Sequence, residues 1–133
     1  MTRQATGTFE VKMQPQGDGD VAEGSSLGRM SLDKRFSGDL EASGKGEMLA
    51  ARSDVPASAA YVAIERVSGS LHGREGSFAL VHKGVMTKEA QSLVIEVVPD
   101  TGTGQLMGLA GTLGIRIEDG RHYYDFEYSL PGE

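Results

Sequence analysis

The chain has 133 residues, 38% hydrophobic and 24% charged, with a formal net charge of −6 and a pI near 5.0. That length suits one domain with one core, spanning residues 1–133. The acid excess argues against nucleic acid, whose backbone needs a clustered positive surface, and the absence of cysteine excludes disulfides and thiolate metal sites.

Period-two alternation runs through most of the chain and predicts strands. Phe9, Val11 and Met13 alternate with Glu10 and Lys12 in a first strand. Residues 14–26, polar and glycine-rich, read as a flexible loop. Met30, Leu32 and Phe36 share a face of the second strand, with Arg29, Ser31, Asp33 and Arg35 on the other. Leu40 to Leu49 reads as a third strand, and Arg52 to Ala59 as a loop, with a helical turn near Val55 to Ala60 as the one helical candidate. In the fourth strand Tyr61, Ala63, Glu65 and Val67 share the face expected to look inward.

His72-Gly73-Arg74 turns into a fifth strand, where Phe78, Leu80 and His82 point together. Leu93 to Val98 forms the sixth. Pro99 and the run Thr101-Gly102-Thr103-Gly104 then predict a sharp corner, because glycine tolerates positive φ and close backbone approach. This run lacks the Gly-Lys-Ser/Thr ending of a phosphate loop. Thr112 to Glu118 forms the seventh strand, Asp119-Gly120 a tight hairpin turn, and His122 to Leu130 the eighth, with Tyr124, Phe126 and Tyr128 aligned.

Eight hairpin-connected strands predict an all-β fold: an eight-stranded antiparallel, mostly up-and-down β-barrel with lipocalin-like closure. Closure removes open edges and leaves an interior that side chains fill or narrow to one small cavity. Some strands are apolar on both faces, as with Val94 beside Leu93 and Ile95, which predicts cover outside the barrel and a homo-oligomer. No run reaches membrane-spanning length, and Met1 to Thr8 lacks the apolar core of a signal peptide, so a bacterial cytoplasmic protein is expected.

Several segments together resemble a known family. They are Thr8-Phe9-Glu10-Val11, Phe36-Ser37-Gly38-Asp39-Leu40-Glu41, Tyr61 to Val67, Gly73 to Phe78, Val81-His82, Val98 to Leu106, and Tyr124 to Pro131. The resemblance is to a bacterial domain-of-unknown-function family with an allene oxide cyclase-like barrel. It covers nearly the whole chain. Plant allene oxide cyclases share the Gly-Thr-Gly, apolar, Gly, Gly punctuation more remotely; there an apolar cavity, an interior glutamate and an ordered water cyclise a fatty-acid-derived epoxide. The chain departs from the bacterial pattern at Asp100-Thr101, where Gly-Ser is common, and at Met13, where an aromatic is frequent. Shared fold alone carries no reaction.

Glu65 is the first candidate for a functional carboxylate, since an apolar cavity would raise its pKa toward the range useful for proton transfer. The structural alternative is an outward Glu65, or one paired with Arg29 or Arg35. His82 could hold a ligand, act as acid or base, or orient Glu65; a structural hydrogen bond is the alternative. Tyr61, Phe78, Leu80, Phe126 and Tyr128 are the candidate ligand-binding residues. Aromatic stripes are also ordinary core, and Met30, Met48, Met86 and Met107 ordinary gap-fillers. His72 and His122, at turns, are expected to face solvent, and Glu41 to lie on the outer face.

Glu41, Glu65, His82 and Glu96 lack the spacing of a metal site, and no Gly-x-Ser-x-Gly elbow occurs. No metal or cofactor is expected. Three functions follow: a module binding a small apolar or amphipathic molecule, an isomerase or cyclase using Glu65 with His82, or an interaction protein with a filled barrel.

Overall fold

A computed structural model describes residues 2–132. Eight strands form in chain order: β1 (Arg3–Pro15), β2 (Ser26–Gly38), β3 (Leu40–Arg52), β4 (Ala59–Leu71), β5 (Arg74–Met86), β6 (Gln91–Val97), β7 (Ala110–Glu118) and β8 (Arg121–Ser129). Each pairs antiparallel with the next, and β1 closes on β8, giving a barrel in the order β1-β2-β3-β4-β5-β6-β7-β8. The strands overrun the predicted bounds, as at β1, because their polar outer ends alternate less visibly. The predicted loop shrinks to residues 16–25, tied by the Asp20–Leu27 bridge and by the Gly24 N–H on Asp54.

The turns follow backbone chemistry. Asp119 and Gly120 both take positive φ (51° and 77°), as the tight turn requires, and His72 with Gly73 (47° and 81°) makes the same kind of turn between β4 and β5. Residues 55–60 form a turn entering β4 and no helix, correcting the helical expectation there. The single helical turn among the described residues is a 3-10 turn at Gly104–Leu106.

That turn belongs to the glycine-rich connection from β6 to β7, which does more than turn a corner. β6 covers β5 only from Leu80 to Met86. Below that point residues 98–105 cover the exposed edge of β5: Val98 donates to the Ala79 carbonyl, Thr103 to that of Ser77, and Gln105 accepts from the Glu75 N–H. An open edge is thereby protected. Gly76 permits the approach, because a Cβ there would collide with the Thr103 carbonyl. Leu106 and Leu109 then plug the barrel base, both buried.

The interior has two unlike halves. Around the base, Phe36, Leu40, Val67, Leu71, Phe78, Leu80, Tyr124, Phe126 and Tyr128 form a close-packed core. Phe78 and Phe126 stack at 5.8 Å between ring centroids. The Tyr124 hydroxyl accepts the Leu40 N–H at 2.8 Å and donates toward the Ser37 carbonyl at 3.0 Å, stitching β8 to the β2–β3 corner. The other end stays open. There β6 and β7 share a single paired couple, Glu96 and Thr112, and beyond it the inward-parity residues Leu93 and Ile117 are exposed. No helix among the described residues is long and apolar enough to cross a membrane.

Candidate ligand site at the barrel mouth

Two residues apart along β4, Tyr61, Ala63, Glu65 and Val67 point inward in steps down the barrel, and β5 sets His82 opposite Ala63 and Leu80 opposite Glu65. Glu65 and His82 are both buried, and His82 Nε2 lies 2.8 Å from Glu65 Oε1. With the carboxylate ionised, the Nε2–H donates. The expectation that these two groups turn inward together therefore holds.

The partner of Glu65 is neither Arg29 nor Arg35. Those arginines lie outside the barrel, where Arg29 meets Glu47 and Arg35 meets Glu41. Lys34 takes the place, its Nζ 3.0 Å from the same Oε1 and the residue only 7% exposed. Lys34 shares inward parity with Leu32 and Phe36, so the alternation of β2 contained this signal. The ammonium also lies over the rings of Phe9 and Phe36, at 5.3 and 5.9 Å from their centroids.

Two groups thus share one carboxylate oxygen, and the other, Oε2, is the one buried side-chain polar atom without a partner among the described residues. It faces Gly44, where a Cβ would stand 3.0 Å away. The pKa of Glu65 is lowered, against expectation. Burial pushes it up, but the hydrogen bond from His82, the charges of Lys34 and His82, and the hydrogen bond from Lys34 outweigh burial. A carboxylate held ionised by two donors is a weaker base than an isolated buried one.

Above this cluster opens a pocket of about 330 Å³, at the small end of the roughly 300–1,000 Å³ range of ligand sites. Phe9, Val11, Leu32, Met48, Leu93 and Ile115 give it apolar walls, and Lys34, Tyr61 and His82 bring polar atoms to it. The Tyr61 hydroxyl has its pKa raised by burial and by the nearby charge of Glu65. Tyr61 fits because its neighbour across the ladder is Gly84, where a Cβ would fall 2.4 Å from the ring.

The structure distributes the other candidates differently. Phe78, Leu80, Phe126 and Tyr128 lie in the packed half, below the pocket. Two histidines expected in solvent do not face it freely. His122 packs against Phe9 at 5.1 Å between ring centroids and lines the mouth, while His72 is hydrogen-bonded to the Tyr128 hydroxyl and lies 3.6 Å from Asp39. Glu41 is on the outer face, as expected. The pocket walls come mainly from β1, β2 and β7, whose inward residues were legible but whose height along the barrel was not.

A closed eight-stranded antiparallel barrel, packed at one end and open at the other over a buried Lys–Glu–His cluster, defines a small β-barrel protein. More particularly, the chain belongs to the DUF3224 family, described as proteins of unknown function, whose model matches residues 5–128. It is similar to a crystal structure of a protein of unknown function from that family, from Shewanella oneidensis MR-1. The two are 48% identical, each chain is covered over 100% of its length, and the TM-score is 0.94. No curated protein matches.

Proposed function

We propose that this protein is a binding module that accepts a small apolar or amphipathic molecule in the mouth of its barrel. The observation that carries the reading is the pocket itself: apolar walls that meet the polar atoms of Lys34, Tyr61 and His82. A barrel built only as a scaffold would gain stability by filling this space, as its base is filled. Native mass spectrometry of gently purified protein tests it. A retained small molecule, lost when Leu32→Trp fills the mouth, is the expected result; an unoccupied protein that also binds no apolar probe would overturn it.

The isomerase or cyclase alternative, suggested by the allene oxide cyclase-like resemblance, would use Glu65 as base. It is less favoured, because Glu65 lies beneath Lys34 and His82 and its pKa is lowered. Turnover of a retained molecule that vanishes in Glu65→Gln would restore it.

A second copy of this chain is the proposed macromolecular partner. Leu49, Val62, Ile64, Val81, Val85 and Val94 are all exposed on the outer wall of β3 to β6. Leu49, Val62, Ile64 and Val81 line a concavity of about 570 Å³ beside Arg29 and Glu47. Lys83 and Glu96, on this wall, have no charged partner among the described residues, so copies related by a two-fold axis could pair one with the other. Cytoplasmic location remains part of this reading, resting on the acidic, cysteine-free composition.

A further inference from the structure

We propose that the pocket receives its ligand polar end first, and that this end is an uncharged carbonyl oxygen bound by the Lys34 ammonium and the Tyr61 hydroxyl. The inference rests on the ligand-binding reading above and specifies its chemistry.

Lys34 and Tyr61 both line the pocket and both hold unused donors. An ammonium has three N–H donors. Lys34 uses one on Glu65 Oε1, and the remaining two have no acceptor among the described residues. The aromatic faces of Phe9 and Phe36 stabilise the charge without accepting conventional hydrogen bonds. Tyr61 likewise has no hydrogen-bond partner among the described residues, and its raised pKa keeps it a donor at neutral pH. The pocket thus offers unused donors, and at Lys34, only 7% exposed, an unmet donor is costly.

Charge decides among the acceptors. Lys34 and Glu65 already pair at 3.0 Å, and His82 lies 2.8 Å from the same carboxylate oxygen. A carboxylate head would bring an uncompensated negative charge beside a buried carboxylate, and an amine would bring a second cation beside Lys34; both carry the penalty of burying an unpaired charge. A pure hydrocarbon would leave the donors unmet. A ketone, ester or amide oxygen accepts from both donors and adds no charge. The apolar remainder then lies along Phe9, Leu32, Met48, Leu93 and Ile115 toward the opening.

Three eight-carbon probes of matched body test this at pH 7.5: 2-octanone, octanoate and octylamine, titrated against the isotopically labelled full chain by NMR. The ketone is expected to bind at least about ten-fold more tightly than either charged probe, the equivalent of one charge-assisted hydrogen bond. Tyr61→Phe, which keeps the ring, and the double variant Lys34→Met/Glu65→Gln, which removes the pair without orphaning a charge, should each weaken the ketone about three- to ten-fold. Equal affinities, a preference for a charged probe, or ketone affinity unchanged in both variants would overturn the inference and leave the pocket reading standing. Binding of none of the three, with no molecule retained by the purified protein, would overturn both.

Discussion

Lys34 and Glu65 meet at 3.0 Å inside the barrel, from strands separated by β3, with His82 on the same carboxylate oxygen at 2.8 Å. The cluster is a buried ion pair at the boundary between the packed base and the open mouth. Removing one member leaves the other charge uncompensated. Lys34→Met alone is expected to cost about 3–5 kcal/mol, whereas Lys34→Met with Glu65→Gln should be closer to wild type. A double-mutant cycle from urea unfolding measures the difference; simple additivity would show that the pair is not coupled.

The same carboxylate sets an acid limit. Its folded pKa lies below the ordinary 4.5, so the ionised group contributes stability above that value. This contribution is lost as pH falls through the folded pKa, because the unfolded chain takes up the proton first. Stability should therefore drop below about pH 4.5, and Glu65→Gln should flatten this part of the curve. Urea midpoints between neutral and acid pH check it.

Tyr124 ties the far end of the barrel together through the Leu40 N–H and the Ser37 carbonyl. Burial chiefly pushes its pKa up to about 12. Tyr124→Phe keeps the ring and strands the Leu40 N–H, with an expected loss of about 1–3 kcal/mol. Spectrophotometric titration of the variant should lack the latest-ionising tyrosine. An unchanged alkaline limb would contradict the assignment.

Gly46 sits across the ladder from Glu65, and a Cβ there would stand 2.6 Å from the Glu65 Cα. Gly46→Ala should destabilise by about 1–3 kcal/mol, as overpacking does. Gly114→Ala is the matched control, since its Cβ would meet only the Asp125 carbonyl, 3.8 Å away. Thermal melts of the two proteins distinguish a crowded site from a general aversion to alanine.

On the outer wall, Ile64 is 60% exposed. Ile64→Glu should leave the fold intact and shift native mass spectra toward the single chain. A wild type already monomeric at micromolar concentration would remove the self-association reading.

Alternation made the barrel legible, because a half-buried strand must repeat every two residues and a two-residue register leaves little choice of face. It placed Glu65 and His82 inward together. It also contained Lys34, four residues after Met30 and two before Phe36, although a lysine on an apolar face carries no sign of its partner. His122 had the same parity as Tyr124, yet its place beside a turn suggested solvent. In both cases the face followed from the strand, while the chemistry depended on what stood opposite.

The pattern of apolar residues and glycines by itself determined eight antiparallel strands, their inward faces and the closure of the sheet. Only the folded barrel decided how high each inward residue sits: Phe78 and Phe126 became base core, whereas Phe9 and Leu32 became pocket wall. Only the fold also brought Lys34 across to Glu65. A period of two specifies direction from the sheet, but the stagger between neighbouring strands specifies height, and stagger is set by closure of the whole barrel.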